Sequence, residues 1–163
     1  MIILGIDPGT TSCGYALIHA KQTPQLITAG VIPVTARGTA ERLAELAYGI
    51  QRIIEIHHPQ RVAIERLFFT KNIKTALSVA EARGALLLIT ALAGLDVYEY
   101  TPLEVKKIVT GDGNADKIQV KKMVQMTLPE TRTLVARDDV FDAIAIALTC
   151  HYKEKVERKY SNE

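Results

Sequence analysis

Asp7, Glu65, Asp139 and Asp142 are four acids standing where stability explains acids poorly. Asp7 follows the apolar run Ile2 to Ile6, and Glu65 follows Arg61-Val62-Ala63-Ile64. Each is expected at the carboxyl end of a buried strand, where open α/β sheets bind ligands and where strand propensity disfavours an acid. Asp139 and Asp142 lie three apart in a helical pattern, which puts their side chains on one face with Cβ atoms about 5–6 Å apart. If that face meets the ends of the two strands, four carboxylates converge, and charges that close cannot all ionise unless cations neutralise them. An all-oxygen donor set selects hard divalent ions such as Mg²⁺, with Mn²⁺ as a substitute. Two such ions about 3.5–4 Å apart activate a water and stabilise the leaving oxygen of a phosphodiester, which is nuclease chemistry.

Some of these acids also have a plainer reading. Asp7-Pro8-Gly9 alone is more often a turn. Asp138 and Asp139 both suit a helix N-terminus, and Asp138 is read as the N-cap; whether it also assists Asp139 stays open. Asp142 lies one turn into the helix, amid Ala143-Ile144-Ala145-Ile146-Ala147, and a lone acid there calls for a partner charge. His19, His57, His58 and His151 show no ligand spacing. His57 and His58 end a helix before Pro59, where a cation suits the dipole, and His151 has no assigned role.

The elements that must position these acids follow from periodicity and turn signals. Ile2–Ile6, Gly14–His19 and Leu26–Val34 read as an antiparallel meander of three strands. A helix follows from Thr39 to His57, with Leu43, Leu46, Ala47, Ile50, Ile53 and Ile54 on one face. Arg61–Glu65 and Asp96–Tyr100 are further strands, separated by a small-residue, apolar helix from Asn72 to Ala93. Thr101-Pro102-Leu103-Glu104 carries a helix start with cap, proline and capping-box glutamate. Gly111 and Gly113 break that helix, another runs from Asp116 to Leu128, and the last begins near Asp138. The order implies an α/β layer fold with a mixed sheet.

At 163 residues and 48% hydrophobic, the chain is expected to form one domain over residues 1–152, with a charged tail over 153–163 that frays. The net charge of +2 permits a nucleic-acid partner without arguing for one. Cys13 and Cys150 make neither a disulfide framework nor a zinc spacing, so a cytoplasmic setting is expected. No 18-residue apolar stretch occurs, and the segment before Asp7 is too short for a signal peptide.

Taken together, the segments resemble RuvC-type Holliday-junction resolvases over nearly the whole length. The resemblance is carried by Leu4-Gly5-Ile6-Asp7-Pro8-Gly9 with Gly14-Tyr15, by Ala63-Ile64-Glu65 with Phe68, and by Ala82-Arg83-Gly84. It continues through Val105-Lys106, Thr110-Gly111 with Gly113, Ala115 and Lys117, Gln119-Val120 with Met123-Val124, and Asp139-Val140-Phe141-Asp142-Ala143. It implies an RNase H-like fold, a mixed five-stranded sheet with helices on both faces, and a symmetric homodimer. It further implies Mg²⁺-dependent nicking of two opposed strands at a four-way DNA junction, and a branch-migration helicase complex as partner. Asp7, Glu65, Asp139 and Asp142 then become the catalytic, metal-binding acids, Phe68 the junction aromatic, and Lys106 and Lys117 the DNA-contacting lysines.

The residues themselves leave some of these roles shared. Phe68-Phe69 fits core packing, yet an aromatic among Arg66, Lys71 and Lys74 also suits stacking on unpaired bases. Lys117 in a helix's first turn opposes the dipole, unless a phosphate binds there and is drawn by both. At least two of Lys106, Lys107, Lys121 and Lys122 are expected to be solvated. The helix over 72–93 suits either a dimer contact or the inside of one domain. Three rival functions compete with the junction enzyme. An actin-like sugar or acetate kinase shares the look of Gly5-Ile6-Asp7-Pro8-Gly9-Thr10-Thr11-Ser12, but needs two domains and a second phosphate motif. An RNA-directed RNase H-like nuclease is less favoured by Phe68 and the paired basic loops, and a non-catalytic junction-binding module has no need of four acids.

Overall fold

The computed structural model describes residues 1–9, 11–66 and 73–160, with side chains described for all of these except 73–75 and 156–160. Five strands form one sheet: β1 (Ile2–Asp7), β2 (Ser12–His19), β3 (Gln25–Pro33), β4 (Arg61–Glu65) and β5 (Asp96–Tyr100). Their spatial order is β3-β2-β1-β4-β5. The first three pair antiparallel, as the short turns between them require, while β4 pairs parallel to both β1 and β5 after helical crossovers. The sheet is therefore mixed, as the element order implied.

Alternation along the strands sends side chains to two cores. Leu4, Ile6, Leu17, Val62 and Ile64 pack under α1 (Thr39–His57) and α2 (Ile73–Leu92). Ile3, Ala16, Ile18 and Ala63 pack on the other face under α3 (Pro102–Thr110), α4 (Lys117–Thr127) and α5 (Asp138–Tyr160). With both faces covered, the central strands can afford no exposed apolar row, and their residues are almost wholly buried.

The helix ends are fixed locally. α3 carries the capping box read from its sequence, Thr101 accepting from the Glu104 amide while the Glu104 carboxylate accepts from the Thr101 amide. Asp116 and Gln119 form a second capping box on α4. α1 ends on His58 in the left-handed region at φ 46°, its amide bonded to the Ile54 carbonyl, a position that usually takes glycine or asparagine. Pro129 opens a 3₁₀ turn (Pro129–Thr133) beyond the expected helix stop.

Two glycines decide how close α5 comes to the sheet. A Cβ on Gly5 would lie 2.2 Å from the Ala143 carbonyl oxygen, and one on Gly14 would lie 2.1 Å from that of Asp139. Only glycine at both positions, Gly5 against Ala143 and Ala147 and Gly14 against Asp139, lets the first turns of α5 rest on β1 and β2.

Among the boundaries that differ from the sequence reading, three bear on the frame of the acids. β2 begins at Ser12, two residues earlier than expected, because Ser12 and Cys13 keep pairing with Pro33 and Ile32. Asp138 is the first residue inside α5 and not the cap before it. α5 itself runs past His151 to Tyr160. Tertiary anchors account for that continuation: Lys153 reaches Glu104 at 2.8 Å, Glu154 reaches Arg61 at 3.3 Å, and Lys155 donates to the Gln22 carbonyl.

Candidate active site

The parallel register Ile6↔Ile64 sets the next residues of β1 and β4, Asp7 and Glu65, side by side at the carboxyl end of the sheet. Over that end lies the start of α5, brought down by the glycine contacts, with Asp139 and Asp142 one turn apart. The result is one cavity of about 380 Å³ lined by all four acids together with Lys106 and Lys117, and floored by Val105, Val120 and Ile146. Asp138 does not line it and is largely exposed.

Burial and mutual repulsion govern the charge state. Burial, then the neighbouring Glu65, Asp142 and Asp139, push the Asp7 carboxyl up to about 8, against the pull of Lys117. Burial and Asp142 raise Glu65 to about 7, opposed by Lys117 and Lys106. Asp142 is raised by burial, partly offset by Lys117, whose ammonium stands 3.3 Å from its carboxylate and 3.9 Å from Asp138. The charge partner that an acid in an apolar helix calls for is thus Lys117. Asp139 accepts a hydrogen bond from the buried Ser12 hydroxyl at 2.8 Å and pairs with Arg137 at 3.3 Å. Among the described residues no three of these acids already form a preset ligand cage. Their chemistry as a donor set, all carboxylate and short of positive charge, fits a hard divalent cation.

Phe68 lies outside the described residues. Lys107 and Lys122 are exposed, while Lys121 is partly buried with its ammonium 4.4 Å from the Phe141 ring. His151 is buried near the opposite end of the sheet, in the wall of another cavity with Met1 and Lys21. The thiols of Cys13 and Cys150 are buried and unpaired with each other, and burial beside Asp7 and Asp139 pushes Cys13 up to about 12.

Sequence reasoning missed Ser12, Arg137 and Arg83, whose guanidinium donates to the Glu65 carbonyl at 3.0 Å. Gly14 was the available signal for Ser12: a glycine inside a strand marks close approach of another backbone, and here that backbone is Asp139.

The chain matches the family model described as "Crossover junction endodeoxyribonuclease RuvC" over residues 3–151. It is 48% identical over 153 residues to the crossover junction endodeoxyribonuclease RuvC of Moorella thermoacetica, covering 93% of this chain and 90% of that one. It is 43% identical over 164 residues to the Clostridioides difficile enzyme of the same name, covering 99% and 96%. Among solved structures it resembles Thermus thermophilus RuvC in complex with Holliday junction substrate, with TM-score 0.87, 31% identity and coverage of 95% and 96%. The yeast mitochondrial Holliday junction resolvase Ydc2, at TM-score 0.73 and 15% identity over 98% and 83%, shares the fold. The fold is therefore RNase H-like, and the chain belongs to the RuvC family of crossover junction endodeoxyribonucleases.

Proposed function

We propose that this chain resolves four-way DNA junctions by paired nicks in opposed strands, using Asp7, Glu65, Asp139 and Asp142 as its catalytic and metal-holding residues. The observation that carries the reading is the convergence of these four acids, from two strand ends and one helix, on a single cavity that also takes Lys106 and Lys117. Divalent cations held there, Mg²⁺ by preference and two per site, would supply an activated water and stabilise the leaving oxygen of the scissile phosphodiester.

The rest of the work falls to the chain. With Asp7 held near 8 and Glu65 near 7, both keep part of their protons at neutral pH and release them when positive charge enters the cavity. Lys106 and Lys117 stand on the cavity wall, and Lys117 opens α4, so ammonium and helix N-terminus attract a strand phosphate together. Ser12 and Arg137 hold Asp139 in orientation. Phe68, three residues after Glu65, is assigned to stacking at the junction centre on its sequence position alone.

Cutting two opposed strands calls for two sites, and we assign the second to another copy of this chain. Leu77, Leu88 and Leu92 support α2 as the shared face: they lie on one side of the helix and are 62%, 61% and 74% exposed. A branch-migration helicase complex is the assigned delivery partner, and the cytoplasm the assigned setting. No helix among the described residues is long and apolar enough to cross a membrane.

The purified protein, incubated with a synthetic four-way junction and with linear duplex, tests the reading. Symmetric nicks are expected in the junction with Mg²⁺ and none with chelator. Equal cutting of duplex, or cutting that survives chelation, would reject it.

A further inference from the structure

We infer that Arg83 is a positioning residue for Glu65, supplying from helix α2 a hydrogen bond that the sheet itself cannot make. The inference rests on the reading of Glu65 as a metal-holding acid. Past the end of β4, the Arg66 amide still donates to the Tyr100 carbonyl of β5 at 2.7 Å. The Glu65 carbonyl, on the opposite side of that same peptide, therefore faces β1. Carrying the register Ile6↔Ile64 forward brings position 8 level with position 66. The donor that a parallel ladder would offer the Glu65 carbonyl is then the amide of residue 8, which is proline and has none. Arg83 Nε fills that place at 3.0 Å.

The guanidinium is held from the other side as well. Its Nη2 pairs with the carboxylate of Glu99, which stands on β5 opposite Ile64. Arg83 is only 16% exposed at its side chain, so the contact lies under α2 and not on a solvated rim. A planar fork engaged at two points fixes both angle and distance, which one ammonium cannot do. The peptide it clamps carries Glu65 into the cavity, so loosening it lets the carboxylate swing away from Asp7 and Asp142. A role confined to neutralising Glu99 would not require Nε to be spent on a carbonyl. Arg83 stands on α2, so the clamp ties the placement of that helix to the acid cluster.

The test compares Arg83→Met, Arg83→Lys and Glu65→Gln. It reads Mn²⁺ binding to the free protein by electron paramagnetic resonance, junction affinity in chelator, thermal unfolding, and single-turnover cleavage against Mn²⁺ concentration. Arg83→Met is expected to weaken Mn²⁺ binding, and to raise the Mn²⁺ needed for half-maximal cleavage, by about tenfold or more. Junction affinity should hold. Arg83→Lys, which cannot span both acceptors, should fall between, and it is the deciding variant should Arg83→Met fail to fold. Unaltered Mn²⁺ binding in a folded Arg83 variant would overturn the inference, whatever happens to its melting temperature. If Glu65→Gln keeps full cleavage, the assignment of Glu65 itself fails; if it abolishes cleavage while both Arg83 variants match the parent, only the Arg83 role falls.

Discussion

Helix α2 and the stretch Val140 to Cys150 of α5 are both apolar around most of their circumference, and the fold treats them in opposite ways. In α5 every residue from Ala143 to His151 is buried, since the helix lies on the sheet and under α3 and α4. In α2 only one side is buried, by α1 and the sheet, and Leu77, Leu88 and Leu92 are left on the outside. An all-round apolar helix must be covered on every side, but nothing requires the cover to come from its own chain. On the proposed function, the same composition positions two catalytic acids in one helix and offers a face to a second molecule in the other.

Placing a charge on each helix separates these roles most sharply. Leu148→Glu sets an unpartnered carboxylate in the α5 core, where Leu148 has no exposure, and is expected to cost more than about 4 kcal/mol, leaving no cooperative unfolding transition in a thermal melt. Leu88→Glu on α2 should change the stability of the monomer by about 0.5 kcal/mol or less. Sedimentation velocity should find the parent dimeric and Leu88→Glu monomeric, and paired nicking should fall to single nicks. A Leu88→Glu protein that remains dimeric would remove the contrast. Ser12→Ala, which leaves the α2 face untouched, releases one hydrogen bond at the first turn of α5. A loss of about 1 kcal/mol is expected in denaturant titration, with a raised Mg²⁺ requirement for cleavage.

Much of the site was legible because its signals are local. An acid ending an apolar run marks a strand end, and so Asp7 and Glu65 could be placed. Three-residue spacing put Asp139 and Asp142 on one face, and Thr101 to Glu104 announced the start of α3. What was hidden depends on distance in sequence. Ser12 and Asp139 are 127 residues apart and meet only because Gly14 admits α5. Arg83 reaches Glu65 through the packing of α2, and no periodicity reports a side chain donating to a strand-end carbonyl. The charged stretch after His151 resembled a frayed tail, yet Arg61, Glu104 and Gln22, from elsewhere in the fold, hold its first turn.

On this reading the four acids are kept crowded for a cation's sake, and Asp7→Asn removes one charge from the crowd. The carboxyl of Asp7 ionises near pH 4 in the unfolded chain and near 8 in the fold, so its burial costs stability progressively as pH rises through that window and costs nothing below it. Thermal melts of parent and variant should therefore coincide near pH 4, while at pH 8 in chelator the Asp7→Asn protein should melt higher. Added Mg²⁺ should raise the parent's melting temperature and close the gap, and the variant should bind four-way junctions without nicking them. A variant that melts no higher at pH 8, or that still cuts the junction with Mg²⁺, would contradict the claim.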